Sequence, residues 1–155
     1  MKHFFSILFI AFALSITASA QEIIDLQVNG VGIGATDTEV ILKLGKPTSR
    51  KKGRMNECVG GEPLTLRYPG LVLELSEDMD DKFTVLTVTV TSPKWSVSGI
   101  SIGASVNQVR KKFGDSKLTK EKGLEYLNYS ISDGYANFVF RKKTLVEIYW
   151  ELNLC

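Results

Sequence analysis

Histidine is almost missing from this sequence: its 155 residues include one, His3, together with only two cysteines and four prolines. Without histidine in its body, the chain cannot assemble a Ser-His-Asp or Cys-His pair, or a histidine-containing zinc or iron site. Thirteen glycines and four prolines are far too few for a collagen-like chain, and 44% hydrophobic residues is too many for low-complexity disorder. Charge of one sign is lacking too, with 19 Lys and Arg against 17 Asp and Glu. A nucleic-acid binder would show a strong basic excess, so that class is set aside. Beyond the first twenty residues no segment is apolar enough to span a bilayer.

The one long apolar run lies at the start. Lys2 supplies a positive n-region, Phe4 to Ile16 form a 13-residue apolar stretch, and Ala18-Ser19-Ala20 gives the small-x-small pattern of a signal-peptidase site. A spanning helix needs ~20 apolar residues, so residues 1–20 read as a signal peptide cleaved before Gln21. No Cys follows the small residues, so a lipid anchor is not indicated. Removing residues 1–20 from the 155 leaves 135, with no histidine and 18 Lys and Arg against 17 Asp and Glu, a net charge of +1.

Export makes the two cysteines, Cys58 and Cys155, candidates for a disulfide, since an oxidising compartment allows them one intramolecular pairing. Closing a loop of about 100 residues stabilises by up to ~4.7 kcal/mol in the chain-entropy model. Free thiols and an intermolecular bridge are the alternatives.

Residues 28–45 and 97–114 align without a gap at an offset of 69, with eight of eighteen positions identical, including Gly34/Gly103, Ala35/Ala104, Val40/Val109 and Gly45/Gly114. An internal repeat at this spacing implies a duplicated structural unit. Within it, Thr36-x-x-Glu39 and Ser105-x-x-Gln108 are both capping boxes. Val40 with Leu44 and Val109 with Phe113 lie on one helix face. Gly45 and Gly114 stand where a left-handed C′ residue ends a helix. Each unit therefore opens with an amphipathic helix of about ten residues, held mainly by packing.

After each helix the hydrophobic period drops to 2. Leu64–Tyr68, Leu71–Leu75 and Phe83–Val90 read as strands in the first unit, with Pro69-Gly70 as a turn. Leu124–Ile131, Tyr135–Phe140 and Leu145–Leu152 play the same parts in the second, with Ser132-Asp133-Gly134 as a turn. Pro47–Arg54 and Lys117–Glu121 are candidate edge strands. The expected fold class is α+β: a leader, residues 1–20, then two tandem repeats, residues 21–92 and 93–155. Each repeat is a short helix followed by an antiparallel meander of three to four strands, with the joint near Thr91–Lys94.

Alternation separates two faces. Leu64, Leu66, Tyr68, Leu71, Leu73, Leu75, Leu86, Val88 and Val90 would face the helix in the first unit. Leu127, Tyr129, Phe138, Phe140, Val146, Ile148, Trp150 and Leu152 would do so in the second. One short helix covers only one side of a sheet. The other side carries Thr65, Arg67, Val72, Glu74, Thr87 and Thr89, then Tyr126, Asn128, Tyr135, Asn137, Glu147, Tyr149 and Glu151. Tyrosines interleaved with Asn and Glu resemble the mixture at interface cores. Equally, Tyr is a good strand former, and this side could pack against the other unit.

The remaining motifs are simpler. Glu77–Asp81 and Arg141–Lys143 read as solvated hairpin tips. Calcium binding by Asp78, Asp80 and Asp81 would lack the Gly and the distant bidentate Glu of an EF-hand loop. Arg50–Arg54 reads as a solvated loop or edge strand, with docking of an anionic partner as the alternative. Gly30-x-Gly32-x-Gly34 lacks the spacing and the βαβ context of a dinucleotide site. Asn128-Tyr129-Ser130 is a formal glycosylation sequon. No catalytic, metal or cofactor-binding residues are assigned.

The repeated I-G-A-[TS]-x-x-x-V-x-x-x-[LF]-G followed by a meander resembles the β-lactamase-inhibitory-protein-like fold. It is also similar to the outer-membrane assembly lipoprotein family SmpA/OmlA, with Gly34-Ala35-Thr36 to Val40 and Gly45-Lys46-Pro47 matching its helix start and G-x-P. The second copy departs at Ser116, where that family often has Pro, and the lipidated Cys is absent. The resemblance implies an exported, non-catalytic protein working through protein contacts, with the tyrosine face as binding surface. The expected reading is a periplasmic or secreted protein-binding module, using Tyr126, Tyr135, Tyr149, Asn128, Asn137, Arg67 and Glu74. Its partner would be a protein of the cell envelope or outside the cell, with no nucleic acid and no cofactor. The alternatives are an envelope assembly factor acting through the basic segments, and a carboxylate-based enzyme on envelope polymers.

Overall fold

The computed structural model describes residues 23–54, 61–77 and 82–153. The leader, Cys58, Cys155 and the Asp78, Asp80 and Asp81 cluster lie outside those residues. Helix α1 is Asp37–Leu44, followed by strands β1 (Ser49–Lys52), β2 (Pro63–Tyr68), β3 (Leu71–Glu77) and β4 (Phe83–Val90). A small hairpin of β5 (Ser96–Val97) and β6 (Ile100–Ser101) precedes α2 (Val106–Phe113). Then come β7 (Leu118–Glu121), β8 (Leu124–Ile131), β9 (Gly134–Arg141) and β10 (Thr144–Leu152). The fold is α+β and mostly β. No described helix is long and apolar enough to cross a membrane.

The capping boxes form as their sequences require. Thr36 Oγ1 accepts from the Glu39 N–H at 3.3 Å, and the Glu39 carboxylate accepts from the Thr36 N–H at 2.8 Å. Ser105 and Gln108 repeat this pair at 3.3 and 2.8 Å. Both helices run eight residues rather than the expected ten. Their closing glycines also differ from the expected left-handed C′ geometry: Gly45 has φ 82°, ψ −175° and Gly114 φ 87°, ψ 174°. That positive-φ extended region is essentially reserved for glycine. It turns the chain straight out of each helix toward the edge strand that follows.

Eight strands form one antiparallel sheet in the order β1-β2-β3-β4-β10-β9-β8-β7. The two expected meanders are therefore continuous, joined where β4 pairs with β10 through Val90–Ile148, Thr89–Tyr149, Val88–Trp150 and Thr87–Glu151. Joining the final strands covers two edges that would otherwise be open to strand pairing. The edges that remain, β1 and β7, are four residues each and rich in charge.

A one-residue bulge in each half corrects the expected inward set. Glu74 pairs Thr87 but Leu75 pairs Val85, which leaves Leu86 outside the ladder. Leu145 pairs Phe140 but Glu147 pairs Val139, which leaves Val146 out. Val85 and Leu145 are fully buried, whereas Leu86 and Val146 are only half-buried; Leu152 keeps the side of Ile148 and Trp150, half-buried near the strand end. The cause is the loop before each helix. Val85 accepts from the Gly34 N–H at 2.8 Å and donates to the Ala35 carbonyl at 2.9 Å. Leu145 does the same with Gly103 and Ala104, both at 2.8 Å. A bulge re-aims the strand so that these bonds close.

The core is one cluster on one side of the sheet. Val40, Val106 and Val109 come down from the helices onto Leu66, Leu73, Val88, Phe138, Ile148 and Trp150. Leu26, Val28 and Val31 close it from the N-terminal segment, where Val28 bridges both Val31 and Val97. All the described cover therefore sits on one side, and no described residue covers the opposite side of the sheet.

Candidate binding face

Because β4 and β10 pair edge to edge within one sheet, the tyrosine side packs against none of the other described strands. Tyr135 is 37% exposed, and Tyr126 and Tyr149 are half-buried. Register places Tyr149 on β10 opposite Asn137 on β9, and Asn137 opposite Asn128 on β8. One row along, Glu151 lies opposite Tyr135. Five of the seven expected residues thus fall on three neighbouring strands.

Glu151 organises this patch. Tyr135 Oη donates to Glu151 Oε1 and Tyr149 Oη donates to Glu151 Oε2, so one carboxylate holds both phenols. The two rings stand 6.1 Å apart between centroids, tilted by 50°. Hydrogen bonding to Glu151 is the main cause that raises the Tyr135 phenol above its ordinary ionisation range. For Tyr149 burial comes first and the Glu151 hydrogen bond second, and the shift is again upward. Both phenols therefore remain neutral donors at physiological pH, and neither supplies a base or a nucleophilic phenolate. What the arrangement offers is an aromatic pair whose two hydroxyls share one carboxylate group. Such side chains give large contact area at low entropic cost.

Tyr126 stands apart from that pair. With Asn128, Asn137, Thr119, Lys120 and Glu121 it lines a groove of about 390 Å³ toward the β7 edge. Arg67 on β2 and Glu74 on β3 lie on the same side but farther off. Arg67 shares a row with Val72, Thr89 and Tyr149, three strands away, or ~14 Å at the usual strand spacing. Glu74 shares a row with Thr87 and Glu151, two strands away. These two residues flank the aromatic patch and do not join it.

Two features escape a reading of the seven residues. Glu151 was legible as a neighbour of Tyr149 two positions along one strand, but its bond to Tyr135 needs the register. Val139, buried between Glu147 and Tyr126 on adjacent strands, gives the face an apolar floor. At one end of the sheet, Lys120, Lys122, Lys142 and Lys143 line an adjoining groove of about 430 Å³ together with Glu121 and Glu125, which pair with Lys122 and Lys120. Lys142 and Lys143 take φ values of 50° and 65°, a left-handed pair usually left to Asn and Gly.

No protein-family model and no curated protein matches the chain. Among solved structures, an extracellular protein containing an SCP domain from Bacillus anthracis superposes with a TM-score of 0.51 at 18% identity. The match covers 79% of this chain and 44% of that one, so this chain spans less than half of that protein's length. YjgB, a DUF4309 family protein from Bacillus subtilis, superposes with a TM-score of 0.43 at 13% identity, over 80% of this chain and 83% of that one. The first likeness is one of fold.

Proposed function

We propose that this chain is an exported, non-catalytic module that binds a protein partner through the open side of its sheet, in the manner of an inhibitor. The observation that carries this reading is the Tyr135–Glu151–Tyr149 cluster, an ordered aromatic patch on an uncovered sheet face. Interface hot spots favour such anchors. The leader sequence supports export to the periplasm or beyond the cell, with cleavage before Gln21.

The reading includes duplication, in keeping with the β-lactamase-inhibitory-protein-like resemblance. Several correspondences support two copies of one helix-plus-meander unit about a local two-fold axis. Val28 and Val97, aligned in the sequence repeat, bridge one another. Thr89 and Tyr149, which correspond once the bulges of β4 and β10 are matched, are direct register partners. A two-fold duplication yields a broad continuous face in place of two small ones, and only the second copy carries the tyrosines.

The test is partner capture from envelope extract by the purified protein, with and without Tyr126→Ala, Tyr135→Ala and Tyr149→Ala combined. Loss of the captured protein, with the circular-dichroism spectrum and urea midpoint retained, is the expected result. Undiminished capture sinks the proposal. The basic turn at Lys142 and Lys143 favours a second reading, an envelope assembly factor held by charge. Association that falls steeply between low and high salt while ignoring the tyrosine substitutions would select it.

A further inference from the structure

Four of the five tyrosines have a partner for their hydroxyl: Tyr68 and Tyr129 donate to helix-end carbonyls, and Tyr135 and Tyr149 donate to Glu151. Tyr126 makes no such bond among the described residues. Neither do the side-chain amides of Asn128 and Asn137, which stand directly opposite one another on β8 and β9. Side chains so placed have Cβ atoms about 4.5–5.5 Å apart. All three line the groove of about 390 Å³ toward the β7 edge. That volume is within the range of about 300–1,000 Å³ usual for small-molecule sites. The two charges that line it are held by neighbours, Lys120 by Glu125 at 3.2 Å and Glu121 by Lys122 at 3.4 Å.

The groove therefore presents an aromatic ring, a free hydroxyl and two free amides, with its charges balanced. Each amide offers two donors and an acceptor. An acetamido group presents one N–H, one carbonyl and a methyl, and a facing pair of amides complements the first two. Val139, directly opposite Tyr126 and two residues along β9 from Asn137, is buried and supplies an apolar surface for the third. We infer that this groove binds a neutral saccharide carrying an N-acetyl group. Tyr126 takes the C–H face of the sugar ring, as an aromatic side chain with an apolar body and a polar tip can. One asparagine accepts the acetamido N–H and the other donates to its carbonyl. This goes beyond the protein-binding reading, which the Tyr135–Glu151–Tyr149 cluster carries.

The experiment is an NMR titration of the ¹⁵N-labelled protein with N,N′,N″-triacetylchitotriose and, separately, with maltotriose, a neutral sugar without acetamido groups. The expected result is a saturable shift of the side-chain amide resonances of Asn128 and Asn137 with the first sugar, while that of Asn107 on α2 stays still. Maltotriose should bind at least tenfold more weakly. Asn128→Thr and Asn137→Thr assign the two resonances with a side chain that strands favour, and each should weaken binding of the acetylated sugar at least tenfold. The absence of a saturable shift at the two asparagines overturns the inference. So does equal binding of the two sugars, or undiminished binding by both threonine variants. Should a variant fail to fold, the titrations of the unmodified chain still decide. No protein partner is present in them, so failure here leaves the protein-binding reading standing, and failure of protein capture leaves this one standing.

Discussion

The phenol of Tyr68 donates to the carbonyl oxygen of Gly45 over 2.9 Å, tying the end of β2 to the end of α1. Tyr129 does the same to Gly114 over 2.8 Å, tying β8 to the end of α2. A helix leaves its last carbonyls without partners, and here a strand supplies them. Burial raises both phenols above their ordinary ionisation range, so they remain donors. Tyr68→Phe and Tyr129→Phe should each cost ~0.5–1.5 kcal/mol of stability, the usual net value of such a bond. Urea denaturation should give a lower midpoint at an unchanged slope, with the two losses adding in the double variant.

The glycines that receive those bonds give a cleaner measurement. A Cβ at Gly45 or Gly114 would meet nothing within 4 Å, so an alanine there faces no clash. It faces only the backbone, held at φ 82° and 87°. Gly45→Ala and Gly114→Ala should therefore each destabilise by about 1–3 kcal/mol from conformation alone. Thermal unfolding checks this. A cost near zero would mean that the chain leaves the helix by another route.

The two capping boxes are alike in geometry but not in charge. Glu39 is held below its ordinary value of 4.5, first by its hydrogen bond from the Thr36 backbone. A carboxylate depressed by folding stabilises above its unfolded pKa, and that contribution is lost as pH falls through the folded value. Gln108 carries no such titration. On lowering pH from about 6 to about 3, the protection of the Thr36 and Glu39 amides, measured against their intrinsic exchange rates at each pH, should fall while that of Ser105 and Gln108 holds. Glu39→Gln should remove the difference between the helices.

These local features were readable because each depends on residues within one turn of helix or one stretch of strand. Thr36-x-x-Glu39 and Ser105-x-x-Gln108 specify their own caps, and Phe83–Val90 and Leu124–Ile131 have the limits that alternation implies. Leu86 and Val146 defeated the same reasoning. Whether a strand bulges is decided by the distant loop that must bond Val85 or Leu145, and periodicity carries no record of that loop. The join of β4 to β10 was hidden for the same reason, since either strand would serve equally well as a free edge by composition. For the tyrosine face, alternation placed Tyr126, Tyr135 and Tyr149 on one side of the sheet, as the strand register has them. Only the edge-to-edge join explains why that side is open.

The charge that binds the tyrosine pair can be removed without removing the rings. Glu151→Gln keeps the shape and can still accept one hydrogen bond, but it carries no charge. Tyr135 owes its raised ionisation first to Glu151, whereas Tyr149 owes its own first to burial. In the variant, the Tyr135 phenol should return toward the ordinary value of 10.0 while Tyr149 stays well above it. A group raised on folding stabilises below its unfolded pKa, and that contribution disappears as pH rises through the folded one. The native protein should therefore lose stability above about pH 10, and the variant should lose less. Tyrosines labelled with ¹³C at Cζ report each ionisation directly. A Tyr135 unmoved by the substitution would show that Glu151 does not hold it. Equal falls at both tyrosines would show that burial does not govern Tyr149, and that the patch is wetter than its packing requires.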